Sequence, residues 1–258
     1  MGLCKTEAFV VQAVPFQEQD KRVILITRDF GRMTAIAPGA QKSRKRFGGG
    51  LETLTLIEAL YFEKRNSSLV RLQEVNILNV YAPLKKSVEK IAYGSYFLEL
   101  VSELMGEQAS FHALFGMLRS FLTALEKTRY EELLSRLFEA RLLASAGWCP
   151  SLRACVRCQA SLFDVSFEPS QPVRFSFSAG GIVCHRCGPA TQEHFFKDKT
   201  WISRDALVYL DQMISNQKKI KVDLKLAKEL KAFLPAFLFY HLGREPRSYA
   251  FIQRVVVG

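Results

Sequence analysis

The chain has 258 residues, 48% of them hydrophobic, enough to bury a substantial core in one large or two modest domains, which excludes a predominantly disordered protein. Lys and Arg number 36 against 25 Asp and Glu, a formal charge of +11, so composition favours nucleic acid as partner over an acidic protein, an anionic membrane surface or a merely solvated basic exterior. No run of about 18 apolar residues offers a membrane span, and Met1-Gly2-Leu3-Cys4-Lys5-Thr6-Glu7 lacks the basic-then-apolar pattern of a leader, so a cytoplasmic protein with no membrane association is expected.

Residues 1–82 read as a strand-rich unit. Short β-branched or aromatic runs over 8–14, 22–27, 32–37, 54–62 and 70–75 are separated by turn residues. Between the second and third, Asp29-Phe30-Gly31-Arg32 predicts a hairpin in which Gly31 takes a positive φ. Five strands fit a small barrel of the OB type, which presents one face to oligonucleotides, although the count alone does not separate it from an SH3-like barrel.

The densest basic segment, Gly39-Ala40-Gln41-Lys42-Ser43-Arg44-Lys45-Arg46-Phe47-Gly48-Gly49-Gly50, lies between the third and fourth runs. Read as a mobile loop, it lets Lys42, Arg44, Lys45 and Arg46 follow single-stranded phosphates, against the plainer reading of a solvated loop. No Gly-Lys-Ser/Thr follows the glycines, so this is not a nucleotide-hydrolysing phosphate loop. Aromatic strand residues such as Phe9, Tyr61 and Phe62 are expected to fill the barrel interior, which leaves Phe47 as the stacking candidate.

From about residue 84 the apolar period becomes helical. Tyr93, Phe97, Leu100 and Leu104 share one face, Phe111, Leu114, Phe115, Leu118, Leu122 and Leu125 another, and Glu131 to Ala146 continues the pattern until Gly147 stops it. Pro83 marks the expected boundary between a domain at 1–82 and a helical domain at 83–258. Helices are expected over 203–215 and 223–242, with Ser203 and Asp223 as caps and a kink at Pro235. Lys218, Lys219, Lys221, Lys225, Lys228 and Lys231 form a second basic concentration, which solvation of an amphipathic helix explains as readily as DNA contact.

Set into this helical part, over about 148–190, are two Cys-x-x-Cys pairs, Cys155 with Cys158 and Cys184 with Cys187. Each two-residue spacer lets both sulfurs reach one ion, and four thiolates close a tetrahedral shell, so the pattern predicts one structural zinc ion rather than a catalytic one. A separation of 25 residues between the pairs is somewhat longer than the roughly 15–20 usual for such sites. A reducing compartment disfavours disulfides and moves these thiols further toward metal. Cys149 competes as a ligand but reads as a packed free thiol, His185 as pointing outward, and Cys4 as inert.

Four histidines, His112, His185, His194 and His241, accompany no catalytic motif, and Glu131 and Glu132 are adjacent on a helix and face different ways. A non-enzymatic protein is therefore expected.

Several stretches together resemble the bacterial recombination mediator family RecO: Glu7-Ala8-Phe9-Val10-Val11; Arg28-Asp29-Phe30-Gly31-Arg32; Pro38-Gly39-Ala40 through Arg46-Phe47-Gly48-Gly49-Gly50-Leu51-Glu52; Gly147-Trp148-Cys149-Pro150-Ser151-Leu152; and Tyr240-His241-Leu242-Gly243-Arg244 with Ser248. The resemblance covers nearly the whole chain. It implies an α+β protein, with an N-terminal OB fold, a helical C-terminal domain and an inserted zinc element. It also implies DNA repair and recombination: binding of single- and double-stranded DNA, annealing of complementary strands, contacts with RecR and with the C-terminal tail of single-stranded-DNA-binding protein, and, indirectly, loading of RecA on covered gaps, in the cytoplasm at the nucleoid. Arg32, Lys42, Arg44, Lys45, Arg46 and Phe47 are the residues expected at DNA. Some RecO proteins lack the cysteines, which assigns the zinc a stabilising role. The competing reading is a zinc-ribbon regulatory or interaction protein that binds nucleic acid without annealing it.

Overall fold

A computed structural model describes residues 2–62, 69–105, 111–168, 171–188, 199–215 and 223–256. Lys218, Lys219, Lys221 and His194 lie outside the described residues. Two compact units emerge, one of residues 1–131 with 245–258, the other of residues 132–244.

The first unit is built on a closed barrel of β1 (Leu3–Phe16), β2 (Asp20–Thr27), β3 (Gly31–Ala37), β4 (Leu56–Phe62) and β5 (Leu69–Asn79). Its order is β1-β2-β3-β5-β4, and β4 returns antiparallel to β1, so no strand edge is left open. The seam between β3 and β5 is parallel, Thr34 to Ile36 beside Leu69 to Arg71, and the whole is an OB-fold barrel. Alternation along each strand explains the closure. Ala8, Val10, Val23, Leu25, Ala35, Ala37, Ile57, Ala59, Tyr61 and Leu72 share one buried cluster, with alanines where strands approach across a small interior.

Phe9 corrects the expectation that strand aromatics fill the interior. It falls between the buried Ala8 and Val10, so its ring projects from the opposite face of β1, yet it is fully buried. There it meets Phe115 at 5.1 Å and Tyr81 at 6.1 Å between ring centres. The barrel wall is thus covered by helices on that side. The predicted hairpin forms at Gly31, whose φ is 67°, and a Cβ there would stand 2.6 Å from the Phe111 ring.

A short turn of helix, α1 (Arg44–Phe47), interrupts the β3 to β4 connection, and α2 (Ala82–Lys85) leads from the barrel into α3 (Val88–Leu104) and α4 (Phe111–Lys127). Ser87 caps α3 by accepting from the Lys90 backbone N–H at 3.3 Å. The expected stripes are buried at Tyr93, Phe97, Leu100, Leu114, Phe115, Leu118, Leu122 and Leu125, and this apolar burial offsets the entropy of ordering the helices. This unit also contains α8 (Arg247–Val256), which packs on α3 and was not anticipated from sequence. Glu99 accepts from the Arg247 and Ser248 backbone N–H groups and from the Ser248 hydroxyl, at 3.1, 2.9 and 2.6 Å. The change of period at residue 83 therefore differs from the division into compact units, because α3, α4 and α8 join the barrel's unit.

The second unit holds α5 (Glu131–Ser145) from residue 132 onward, a small antiparallel sheet of β6 (Val173–Ser176), β7 (Gly181–Val183) and β8 (Lys199–Ile202) in the order β7-β6-β8, then α6 (Arg204–Ile214) and α7 (Leu224–Leu242). Ser203 and Asp223 cap α6 and α7 as expected, and Gly243 ends α7 with a φ of 70°. Pro235 sits inside α7. Phe175 of β6 is fully buried against Phe233 and Phe237 of α7, ring centres 4.8 and 5.4 Å away, so the sheet is pinned to the helix by edge-on aromatic packing.

Candidate nucleic-acid interface and metal centre

On the outer face of β2, β3 and β5 the polar side of the strand alternation carries arginines. Arg22 pairs across to Ile36, and Ile36 pairs across to Arg71, so two exposed guanidinium groups flank one aliphatic position in a row across three strands. Arg32 is exposed near the start of β3, while Ile36 and Ala37 stand at its far end, roughly 13–16 Å along the strand. Sequence reasoning missed Arg22 and Arg71. Their signal is phase: Arg22 falls out of step with the inward Val23 and Leu25, as Arg71 does with Val70 and Leu72.

The basic segment after β3 is a folded plug rather than a mobile loop. Gly39 N–H donates to the Asp20 carboxylate at 2.8 Å, Gln41 N–H to the Gln19 carbonyl at 3.0 Å, and Ser43 N–H to the Gly39 carbonyl at 2.9 Å, which ties the segment to the β1 to β2 turn. From this base α1 directs Phe47, and the turn after it Leu51, into the barrel cluster. Phe47 is only 2% exposed, so the ring is a core group and not a stacking platform; an apolar side chain beside an open barrel end gains more from filling it than from water. Gly50 permits the close approach, since a Cβ there would stand 2.7 Å from Val75 and 3.0 Å from the Phe47 carbonyl.

The four cations of the segment consequently divide. Lys42 and Lys45 are exposed, and Arg44 is placed by its backbone at the head of α1. Arg46 is half-buried and has structural work. It donates from Nη2 to the Pro38 carbonyl at 2.7 Å and from Nε to Ser43 Oγ at 3.3 Å, and lies over the Phe47 ring at 5.0 Å. Arg32 is at the other end of β3, so the structure does not gather all the expected residues at one point. Among the described residues, the barrel's most exposed aromatic is instead Phe30, 53% exposed, in the turn between Arg28 and Arg32.

The cysteines do converge. Sulfurs of Cys155, Cys158, Cys184 and Cys187 all lie within 4.8 Å of one another, the one such cluster of metal-binding side chains among the described residues. Two similar turns make it. Gln159 N–H donates to the Cys155 carbonyl and Gly188 N–H to the Cys184 carbonyl, each at 3.0 Å, so each pair closes a tight bend that aims both thiols inward. The bends are held together by Val156 N–H to the Ile182 carbonyl at 3.0 Å and by Ser151 exchanging bonds with Gly180 and Ile182 at 2.8 and 3.0 Å. Gly181 makes this contact possible, because a Cβ there would meet the Ser151 carbonyl at 2.7 Å.

The donor set fits a tetrahedral thiolate centre. An ion bonded to sulfur at about 2.3 Å holds its ligands about 3.8 Å apart, and the Cys158 and Cys184 sulfurs stand 3.6 Å apart. Burial opposes ionisation of Cys155, but backbone N–H groups of Cys158, Cys184 and Arg157 outweigh it and bring that thiol to about 7. Desolvation, helped by hydrogen bonding with Cys158 and Cys184, pushes Cys187 up to about 12, and desolvation raises Cys184. The Cys155 thiolate thus forms readily, while the raised Cys184 and Cys187 thiols give up their protons to an arriving cation. Cys149 stands outside the cluster, but it is exposed rather than packed, because it follows the end of α5 on the surface of the turn at Trp148. His185 is exposed, as its place between two inward-facing cysteines requires.

Comparison with known proteins covers both units. Residues 1–81 match the family "Recombination protein O N terminal" and residues 86–250 match "Recombination protein O C terminal". The DNA repair protein RecO of Syntrophus aciditrophicus (strain SB) is 32% identical over 253 residues, spanning 97% of this chain and 95% of that protein. The DNA repair protein RecO of Anaeromyxobacter dehalogenans (strain 2CP-C) is 31% identical over 256 residues, 99% of this chain and 98% of its own. That of Moorella thermoacetica is 30% identical over 258 residues, 98% and 92%. Among the described residues no helix is long and apolar enough to cross a membrane.

Proposed function

The chain belongs to the RecO family of DNA repair proteins, and on that premise we propose that it binds single- and double-stranded DNA and anneals complementary strands. With RecR, it helps load RecA onto gaps covered by single-stranded-DNA-binding protein, whose C-terminal tail it contacts. The work is done at the nucleoid in the cytoplasm and needs no catalytic turnover. The observation that carries the reading is the row of exposed cations on an OB barrel: Arg22 and Arg71 across β2, β3 and β5, Arg32 on the same strands, and Lys42 and Lys45 on the adjoining plug, with Arg44 between them in sequence.

Annealing demands charge neutralisation before base recognition. Two phosphate backbones repel, and fixed cations that displace their condensed counterions lower the work of bringing them together. A barrel suits that task because its strands hold the guanidinium groups at set spacings. Arg46 serves it indirectly, by keeping the plug that presents Lys42 and Lys45.

One structural zinc ion is the occupant proposed for the four sulfurs, where it would cross-link the two turns and supply no reaction chemistry. Cys155, Cys158, Cys184 and Cys187 would hold it as thiolates.

Replacing Lys42, Lys45, Arg22 and Arg71 by Ala tests the interface while leaving Arg46 and the plug intact. Affinity for single-stranded DNA should fall without regard to sequence, and the salt slope should flatten by roughly 0.7 for each phosphate that the protein no longer neutralises. An unchanged slope would remove the barrel face from the mechanism. Annealing of two labelled complementary strands coated with single-stranded-DNA-binding protein tests the activity itself; a nucleic-acid-binding regulator would leave the pairing rate at its background.

A further inference from the structure

A cavity of about 360 Å³ opens beside the second cysteine turn, with Phe167, Glu168, Arg174, Cys184, His185 and Trp201 in its lining. We propose that this cavity is a second DNA site, one that takes a single unpaired base of a strand against Trp201 and the adjoining phosphate against Arg174. The proposal rests on the reading that the chain binds DNA, but assigns a site on a different unit from the barrel.

The two central residues are direct cross-strand partners on the small sheet, Arg174 of β6 opposite Trp201 of β8. The Arg174 guanidinium lies 5.2 Å from the centre of the indole. Trp201 remains 60% exposed even so, which leaves much of a large flat π surface in water at the mouth of a cavity. Its strand neighbour Ile202 points the other way and is buried, so exposure follows from the sheet's alternation and is not a loose end of the fold. The buried side of β6, through Phe175, fixes the sheet to α7 and so holds the platform rigid.

Chemistry selects the ligand. A base brings a flat aromatic face and its nucleotide a negative charge, the complements of an exposed indole and an adjacent guanidinium. His185, exposed on the cavity lining, adds a ring nitrogen for hydrogen bonding, and Glu168 is the one carboxylate among the described residues of the lining. The net charge of +11 favours a polyanion over a cationic ligand. A duplex keeps its bases stacked on one another, so the site must prefer single strands. The cysteine turn lies beside the arginine, since a Cβ on Gly188, the residue after Cys187, would stand 2.6 Å from Arg174 Nη1. Annealing gives such a site a purpose, since two strands must be held for one pairing event.

The chain has two tryptophans, which makes the test direct. In the full-length Trp148→Phe protein, Trp201 is the sole tryptophan emitter, and a short oligothymidylate should quench it saturably while a blunt hairpin duplex of equal length does not. If that variant misfolds, the same quench should be present in the unaltered chain and absent from Trp201→Phe. Arg174→Gln should move the midpoint of quenching about tenfold upward through removal of a charge-assisted hydrogen bond. Oligothymidylate that binds, by anisotropy, without changing Trp201 emission overturns the pocket and leaves the barrel reading standing; oligothymidylate that does not bind at all overturns both. Quenching by an acidic peptide ending in an aromatic residue, with none from oligothymidylate, also overturns the proposal and assigns the cavity to a protein tail.

Discussion

The barrel and the four-cysteine element solve the same problem, holding short strands in place, by opposite means. In the barrel every strand has two hydrogen-bonded neighbours around an interior filled by many side chains, from Ala8 to Val75, and no single one is indispensable to the closure. Beside the element, among the described residues, lie only three short strands, and its order gathers at one point, where four sulfurs meet within 4.8 Å. Distributed cohesion leaves the outer face of the barrel free to carry charge. Concentrated cohesion sets Arg174 one strand away from that single point, opposite Val183.

Cys155→Ser should break this contrast most severely. A structural zinc site contributes on the order of 10–16 kcal/mol in small isolated modules, so the variant should lose its metal and become open to proteolysis within residues 148–188 while the barrel stays folded. One metal per chain retained in the variant would refute the ligand set. Leu25→Ala, at a fully buried barrel position, should cost about 2–5 kcal/mol in denaturant unfolding with metal content unchanged. Loss of metal in this variant would mean that the two regions are not held independently. Gly181→Ala keeps all four sulfurs but forces a Cβ against the Ser151 carbonyl, a strain of about 1–3 kcal/mol that should speed metal loss to a chelator. Equal rates would show that the ligands alone, and not the backbone between the turns, set retention.

Much of the architecture was legible because its causes are local. Period-two runs gave the five strands, Gly31 its turn, and Ser203 and Asp223 their caps, since each depends on residues next to one another in sequence. The convergence of the four cysteines was legible for the same reason, each pair being closed by its two-residue spacer. Phe47 was misjudged because its neighbours are basic while its environment is a barrel end formed by strands far along the chain. Arg22 and Arg71 escaped notice because they become neighbours only through Ile36 and the parallel seam. α8 was missed because its anchor, Glu99, stands about 150 residues earlier.

That anchoring of α8 by Glu99 has a consequence for how the protein is made. The helix that completes the flank of α3 is encoded after the whole of residues 132–244, so the barrel's unit cannot be finished when its first 131 residues leave the ribosome. At about 5–20 residues per second the wait is on the order of ten seconds. For that interval Tyr96 has no Tyr249 against it and the Glu99 carboxylate no helix start to cap. Until α8 is made, the flank of α3 that Tyr249 covers lacks that helix.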